Sequence, residues 1–177
     1  TMPRLGMIDP STDSGPGAEM LNGPLKAKQI NIFKGMAVHA SVFKAFLGLA
    51  GGMKGGALTE AEHEVVALVT AEKRHCEYCL AAHTMIAAGA GLDGDAVVAI
   101  RRGSSDDARQ QALIDFVNAV LDTDGFVSDA QLQAFKDAGF DDKAVIEVIA
   151  GITTMTFTNL YNHVNETEID FPVAATL

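Results

Sequence analysis

Apolar residues recur every three or four positions along most of the chain, which is the spacing of residues on one face of an α-helix. The segments that show this pattern are residues 25–36, 40–49, 60–71, 76–88, 93–102, 105–122, 128–139 and 141–165. Only the β-branched run at 148–152 competes as a strand, and the length of its segment favours a helix. The pattern therefore predicts an all-α fold.

Residues that favour helix N-termini precede several of these segments. The predicted N-caps are Thr59, Ser104 or Ser105, Ser128 and Asp141. Thr59 and Ser128 are each followed by Glu or Gln three positions later, which is the capping box. In this motif two side chains each bond a free backbone N–H at the start of the helix. Glycines at the ends of several segments indicate where the helices stop.

The length of 177 residues is enough for one domain with a sizeable core and too short to predict two. Residues 1–24 are rich in proline, glycine, serine and aspartate, so we expect an irregular, extended N-terminal arm. Residues 25–177 would then form a single helical domain, and its last dozen residues would be an extended C-terminal tail.

Composition and charge argue against several classes of partner. The formal net charge is −10 at pH 7, which is unfavourable for binding nucleic acid or an anionic membrane. Hydrophobic residues make up 48% of the chain, yet no uncharged run is long enough to predict a membrane span. No secretory leader is visible either. We therefore expect a soluble, cytoplasmic protein.

The candidate chemistry lies between Glu64 and His83, because this stretch contains both cysteines of the chain. Cys76, Cys79 and His83 form a C-x-x-C-x-x-x-H motif, and a helix would place all three within about 60° of one another. Glu64, on the preceding helix, is either an ordinary residue at the rim of the core or a partner for His83. A disulfide across so short a loop stabilises a fold little, so the pair indicates redox catalysis or metal binding.

A zinc site is the weaker of these two interpretations. Structural zinc usually has four ligands, commonly from two cysteine pairs, and this chain has one pair. His83 would have to be the third ligand, and His75, His63 or Glu64 the fourth. We therefore expect a thiol redox site without a metal, and we assign no role to His163 on the last predicted helix.

Two arguments from the residues rank the cysteines differently. Cys76 would lie at a helix N-terminus, where the helix dipole lowers the pKa of a thiol. Cys79 would lie one turn before His83, which could accept its proton. In either case, attack on a peroxide gives a sulfenic acid, which the second thiol converts to a disulfide. An external dithiol must then reduce the pair. The spacing suits a peroxide reductase or a disulfide oxidoreductase.

The motif resembles that of the alkylhydroperoxidase D-like (AhpD-like) family, within the carboxymuconolactone decarboxylase superfamily. The family pattern is a glutamate, eleven residues and C-x-x-C-x-x-x-H, which Glu64, Cys76, Cys79 and His83 match in identity and spacing. The sequence CEYCLAAHT at residues 76–84 is similar to its peroxidase-related branch, and so is the closing segment, Asn162-His163 with IDFP at residues 169–172.

The resemblance implies a helical bundle of about six to eight helices that forms a homo-oligomer, often a trimer or hexamer. It implies a peroxidase that acts on hydrogen peroxide or alkyl hydroperoxides with no haem, flavin or metal. Carried over by position, Cys79 attacks the peroxide, Cys76 resolves the sulfenic acid, and His83 with Glu64 forms a proton relay.

The chain departs from the family pattern at one position that matters. The founding enzymes have a histidine before the second cysteine, where this chain has Tyr78. Their full relay and their reducing partner therefore do not carry over. A thiol–disulfide oxidoreductase, or a decarboxylase-like enzyme acting on a small carbonyl compound, is the alternative. Lactone decarboxylation itself is not expected, because the decarboxylases of the superfamily lack the cysteine pair.

Overall fold

The structure, a computed structural model, describes residues 3–177. Its helices are α1 (Pro16–Asn22), α2 (Asn31–Met36), α3 (Ala40–Gly52), α4 (Glu60–Lys73), α5 (Glu77–Gly89), α6 (Gly94–Arg101), α7 (Ala108–Asp122), α8 (Asp129–Asp137) and α9 (Asp142–Asn165), with a 3₁₀ turn at Ala37–His39. No strand occurs in this described part of the chain. The predicted all-α fold class is confirmed.

Helix α4 lies at the centre of the fold. It packs against α5, α6, α7 and α9, and residues 64–71 are buried without interruption. The predicted capping box begins this helix: Thr59 Oγ1 accepts a hydrogen bond from the Glu62 N–H, and Glu62 Oε2 accepts one from the Thr59 N–H. The box thus satisfies backbone N–H groups at the start of this helix with local side chains.

Two hydrophobic clusters meet at α4. The larger one lies between α4, α6, α7, α8 and α9 and contains the stacked rings of Phe116, Phe135 and Phe140. The second, which we call the cysteine cluster, comprises Leu21, Ile32, Met36, Ala37, Phe43, Ala67, Ala71, Cys76, Tyr78, Cys79, Leu80 and Met155. Successive turns of α4 supply side chains to both clusters, so this one helix joins the two.

Two further N-caps agree with the prediction, and one does not. Ser128 forms the predicted capping box at the start of α8, and Asp141 caps α9 through its carboxylate. Helix α7 instead begins after Asp107, whose carboxylate accepts a backbone hydrogen bond at 2.7 Å. The prediction of Ser104 or Ser105 was wrong because this aspartate, closer to the apolar stripe, satisfies the N–H groups at the helix start.

The predicted N-terminal arm contains a helix. Within residues 1–24, which the sequence indicated to be irregular, α1 begins with a proline and buries Ala18 and Leu21. Proline is favoured at the first helical position because its fixed φ suits a helix and its missing N–H costs no bond there. Residues 3–15 are irregular as expected, and Thr1 and Met2 lie outside the described residues.

The extended tail after α9 crosses the start of α2. Helix α2 has Ile30 at its N-cap, which offers no capping side chain. Instead, Asp170 accepts a hydrogen bond from the Asn31 N–H at 2.7 Å, and the Tyr78 hydroxyl accepts one from the Ile32 N–H at 3.2 Å. Residues from the tail and from α5 therefore cap α2. Arg101 also holds the tail, by a hydrogen bond to the Ala175 carbonyl.

By length and mean hydropathy, two helical segments could cross a membrane: Asn31–Gly52 and Asp142–Asn165. The prediction of no membrane span considered uncharged runs only, and lysines interrupt the first segment. Helix α9, the second segment, packs along α4 and buries Val148 and Ile152, as the core helix of a globular fold does.

Candidate functional site

Both cysteines lie where the chain turns from α4 into α5. His75 adopts the left-handed conformation, with φ 54°, and the next residue, Cys76, is the N-cap of α5. The helix therefore starts within one residue of the predicted position. Cys79 lies in the first turn, with its Sγ 2.8 Å from the Cys76 Sγ. Both thiols are free, and only 1% of Cys76 and 3% of Cys79 is exposed.

The two thiols differ in acidity. The Cys76 S–H donates a hydrogen bond to the Cys79 sulfur, and this is the main cause that lowers the pKa of Cys79 to about 7, against the opposing effect of burial. The same hydrogen bond, together with burial, raises the pKa of Cys76. The sequence left the ranking of the two thiols open, and the dipole argument for Cys76 does not decide it here. A proton shared with a neighbouring sulfur outweighs the dipole here.

Glu64 and His83 form a pair across α4 and α5. Glu64 Oε2 lies 2.8 Å from His83 Nδ1, and Glu64 is buried, with 9% of its surface exposed. Glu64 is thus not an ordinary rim residue. When Nδ1 carries the ring proton, it donates a hydrogen bond to the carboxylate, and Nε2 is left as a hydrogen-bond acceptor. No hydrogen bond joins the His83 ring to either sulfur among residues 3–177, so the four predicted residues form two adjacent pairs.

A third set of residues comes from α9, and no role was predicted for it from the sequence. Asn162 Nδ2 lies 3.3 Å from the Cys79 Sγ and 4.0 Å from the Cys76 Sγ, and Thr158 Oγ1 lies 3.9 Å from the Cys79 Sγ. His163, the adjacent residue, is exposed. A signal was present: the stripe of buried residues on α9 continues from apolar Val148, Ile152 and Met155 to Asn159 and Asn162. Asparagines on a buried stripe indicate a polar site.

Tyr78, between the cysteines, faces the tail. Its hydroxyl donates to Asp170 Oδ1 at 2.7 Å, and its ring packs edge-on against Phe171, with the centroids 5.5 Å apart. Burial, with the nearby Asp170 carboxylate, raises the pKa of the Tyr78 hydroxyl. The residue that departs from the family pattern therefore has a structural role here, because its hydroxyl joins the tail to the start of α2.

A half-open cavity of about 610 Å³ lies beside the Glu64–His83 pair, between α3, α4, α5 and α9. Its volume is that of a site for a small organic molecule. Glu64, His83 and Thr158 contribute to its lining, and Thr158 also contacts Cys79. The apolar part of the lining is formed by Phe46, Met53, Leu58, Val66, Ile86 and Met155. The cavity thus leads from solvent to the polar groups next to the thiols.

The described residues contain no cluster suited to a metal ion. Within residues 3–177, no group of three or more His, Cys, Asp or Glu side chains has a geometry that could hold one. His63, named as a possible fourth zinc ligand, lies 3.7 Å from Glu147 instead.

The segment that contains this site is similar to a known protein family. The model of the carboxymuconolactone decarboxylase family matches residues 40–120, which include Glu64, both cysteines and His83. Over this segment, slightly less than half of its length, the chain is similar to the carboxymuconolactone decarboxylase family. No curated protein matches the chain significantly.

Solved structures with the AhpD-like fold cover nearly the whole chain. A peroxidase-related protein of Ralstonia eutropha JMP134, described as an alkylhydroperoxidase AhpD core, has a TM-score of 0.84 at 20% identity, over 96% of this chain and 93% of its own. A peroxidase-related protein of Silicibacter sp. TM1040 has a TM-score of 0.78 at 21% identity, over 93% and 89%. At these identities the likeness establishes the fold.

A third similar structure is that of an enzyme with a different activity. It is a cysteine-to-alanine variant of the debrominase Bmp8 in complex with 2,3,4-tribromopyrrole. Its TM-score is 0.68 at 19% identity, over 79% of this chain and 76% of its own. The fold is therefore compatible with more than one activity.

Proposed function

We propose that this protein is a thiol peroxidase that reduces hydrogen peroxide or alkyl hydroperoxides. The observation that carries the proposal is the contact between the two buried sulfurs, 2.8 Å apart, with the pKa of Cys79 lowered to about 7. Near neutral pH, a large fraction of Cys79 is then thiolate, the nucleophilic form, while Cys76 keeps its proton. The peroxidase-related names of similar structures support the same activity.

The reaction has two steps. The Cys79 thiolate attacks the terminal oxygen of the peroxide; an S–O bond forms, the O–O bond breaks, and the alkoxide or hydroxide leaves and takes up a proton. Cys76 then attacks the sulfur of the resulting sulfenic acid, so that an S–S bond forms and water leaves. Two electrons pass from the thiols to the peroxide, and an external dithiol returns them.

Glu64 and His83 act in this proposal as the source and sink of protons. The carboxylate fixes the ring of His83, and the cavity gives its Nε2 access to the leaving oxygen, directly or through a water molecule. We expect His83→Asn to slow peroxide turnover by about 10²- to 10⁴-fold, the usual contribution of general acid–base catalysis. Alkylation of Cys79 should be much less affected, because no hydrogen bond joins this ring to the sulfur. Equal slowing of peroxide turnover and of Cys79 alkylation would contradict this role of His83.

The cysteine variants test the proposal directly. Cys79→Ser should abolish peroxide consumption with a dithiol as reductant, whereas Cys76→Ser should consume one equivalent and accumulate a sulfenic acid that dimedone labels. His75→Asn is the matched control, because His75 is exposed beside the pair and asparagine tolerates its left-handed backbone. Undiminished turnover by both cysteine variants would refute a peroxidase that uses this pair.

Reductive dehalogenation is the second candidate, and the similarity to a debrominase supports it. Two thiols and a halogenated aromatic would give the dehalogenated ring, a halide ion, a proton and the Cys76–Cys79 disulfide. Release of bromide from 2,3,4-tribromopyrrole, without peroxide consumption, would favour this activity. Disulfide exchange with a model disulfide, again without peroxide consumption, would favour a thiol–disulfide oxidoreductase.

We also propose that the chain forms a homo-oligomer. Helix α9 presents exposed apolar side chains at helical spacing: Ile146, Ile149, Phe157, Leu160 and Val164. Thr153 interrupts these residues between Ile149 and Phe157, but an exposed apolar face of this kind is typical of a surface that another chain covers. Light scattering with size-exclusion chromatography should give a trimer or a hexamer, and a monomer at micromolar concentration would contradict the proposal.

A further inference from the structure

The polar residues of α9 lie at one point of the redox site. Asn162 follows Thr158 and Asn159 by one helical turn, so the three lie on the same side of the helix, next to Cys79. Asn159 has no exposed surface, and Asn162 is 4% exposed. No residue of this set belongs to the C-x-x-C-x-x-x-H motif or to the Glu64–His83 pair.

We propose that Asn162 is a catalytic residue that holds the Cys79 sulfur as a thiolate by donating a hydrogen bond from its side-chain amide. The proposal rests on the thiol chemistry proposed above and identifies a further residue that makes it possible. It also explains why Cys79, and not Cys76, is the attacking thiol.

The distances support a donor that is selective for one sulfur. Asn162 Nδ2 is 3.3 Å from the Cys79 Sγ, within bonding range for sulfur, and 4.0 Å from the Cys76 Sγ, at the limit of that range. Cys79 therefore accepts bonds from the Cys76 S–H and from the amide. Hydrogen bonds to an ionised group are stronger than those to a neutral one, so two such donors favour the thiolate.

His83 does not supply this stabilisation in the structure. Its Nδ1 is bonded to Glu64, and none of its ring atoms makes a hydrogen bond to a sulfur within residues 3–177. The largest effects that lower the pKa of Cys79 come from Cys76, Asn162, Asn159 and Thr158, and no cation is among them. Thiolate formation and proton delivery are thus assigned to different residues.

The cost of these asparagines to stability also points to a function. Asn162 Oδ1 and both polar atoms of the Asn159 amide are buried and make no hydrogen bond of good geometry within residues 3–177, although Asn159 still helps to lower the pKa of Cys79. Buried polar atoms without partners destabilise a fold. An apolar residue at either position would continue the stripe of α9 at lower cost, so the amides are explained better by the thiol they surround.

The test measures the pH dependence of Cys79 alkylation in the Cys76→Ser background, where Cys79 is the only thiol. Iodoacetamide reacts with the thiolate, so the midpoint of the rate profile gives the pKa of Cys79. Loss of a hydrogen bond to a charged group should raise this pKa by roughly one to two units in Asn162→Leu, which slows alkylation at pH 7 about five- to fifty-fold. At high pH the rates should converge.

Asn162→Asp provides a second variant of nearly the same volume in case the leucine variant fails to fold. Its carboxylate removes the donor and adds a negative charge, so the midpoint should rise at least as far. The matched control is Asn165→Leu, one turn along α9. Asn165 is equally buried, but its amide bonds Leu5 and Thr167 instead of sulfur. We expect this variant to lose stability and to keep the midpoint of the background protein.

The outcomes separate this inference from the proposed function. A folded Asn162→Leu or Asn162→Asp variant with the background midpoint overturns the role of Asn162, whether or not the protein reduces peroxide. A midpoint that is raised in the Asn162 variants but not in Asn165→Leu supports the role of Asn162. This titration uses no peroxide, so a wild-type protein that fails to consume peroxide would refute the peroxidase alone.

Discussion

The two tyrosines of the chain offer a matched test of the hydrogen-bond argument. The Tyr78 hydroxyl donates to Asp170 at 2.7 Å and accepts from the buried Ile32 N–H at 3.2 Å. The Tyr161 hydroxyl is buried without a partner and lies against Gly35, where an added methyl group would overlap it. Replacing each tyrosine by phenylalanine removes one oxygen atom, but only one of the two oxygens is bonded.

The expected magnitudes follow from these contacts. Tyr78→Phe leaves the Ile32 N–H without an acceptor, which costs about 1–3 kcal/mol for a buried donor. The bond to Asp170 adds little, because water can replace it at this exposed carboxylate. For a domain of this size the loss lowers Tm by roughly 2–12 °C. Tyr161→Phe should leave the free energy of unfolding unchanged or raise it by up to about 1 kcal/mol, since no bond is lost.

Urea and thermal unfolding, at one fixed protein concentration, measure both variants. Equal losses of stability in Tyr78→Phe and Tyr161→Phe would refute the reasoning. Both variants lose one oxygen atom, but only the oxygen of Tyr78 makes hydrogen bonds. A larger loss in Tyr161→Phe would do the same.

Three further predictions concern single side chains. Cys76→Ala, but not Cys76→Ser, should slow the alkylation of Cys79 at pH 7 by about five- to fifty-fold, because serine keeps a donor and alanine does not; equal rates would contradict this. Gly35→Ala should destabilise the fold by about 1–3 kcal/mol in urea unfolding, since its methyl group has no space, whereas Gly48→Ala, on the exposed side of α3, should be neutral or stabilising. Burial raises the pKa of Glu62, but hydrogen bonds from Thr59 in its capping box and from Arg109 outweigh this effect, so the pKa of Glu62 is lowered from 4.5. The stability that this carboxylate contributes is therefore present above pH 4.5 and lost in more acidic solution, and Glu62→Gln should flatten that part of the stability profile.

Local patterns in the sequence predicted the helical fold and the cysteine pair because the relevant residues are close in sequence. The capping box at Thr59 depends on residues three positions apart, and Cys76 and Cys79 are separated by less than one helical turn. The partnership of Glu64 with His83 spans 19 positions, and the motif spacing was sufficient to suggest it. Such features are determined largely by helix geometry.

The rest depends on contacts between distant segments. Asn162 reaches Cys79 across 83 positions, and no pattern within α9 states which helix its polar face meets. For the same reason the sequence could not rank the acidity of the two thiols: the helix dipole is a local effect, whereas the hydrogen bonds and burial that decide it are tertiary. Helix α1 was missed because its proline was interpreted as a breaker, although here it begins a helix.

The position of α4 in both hydrophobic clusters has a consequence for how the molecule opens. Because the clusters share this helix, exposing its amides to solvent requires both to separate, so these amides should exchange hydrogen only through global unfolding. Glu64 lies on this helix, whereas we expect the mostly exposed terminal tail to detach locally at lower cost. We therefore expect solvent to reach the two sulfurs from the side of the tail, while the Glu64 carboxylate that orients His83 stays in place.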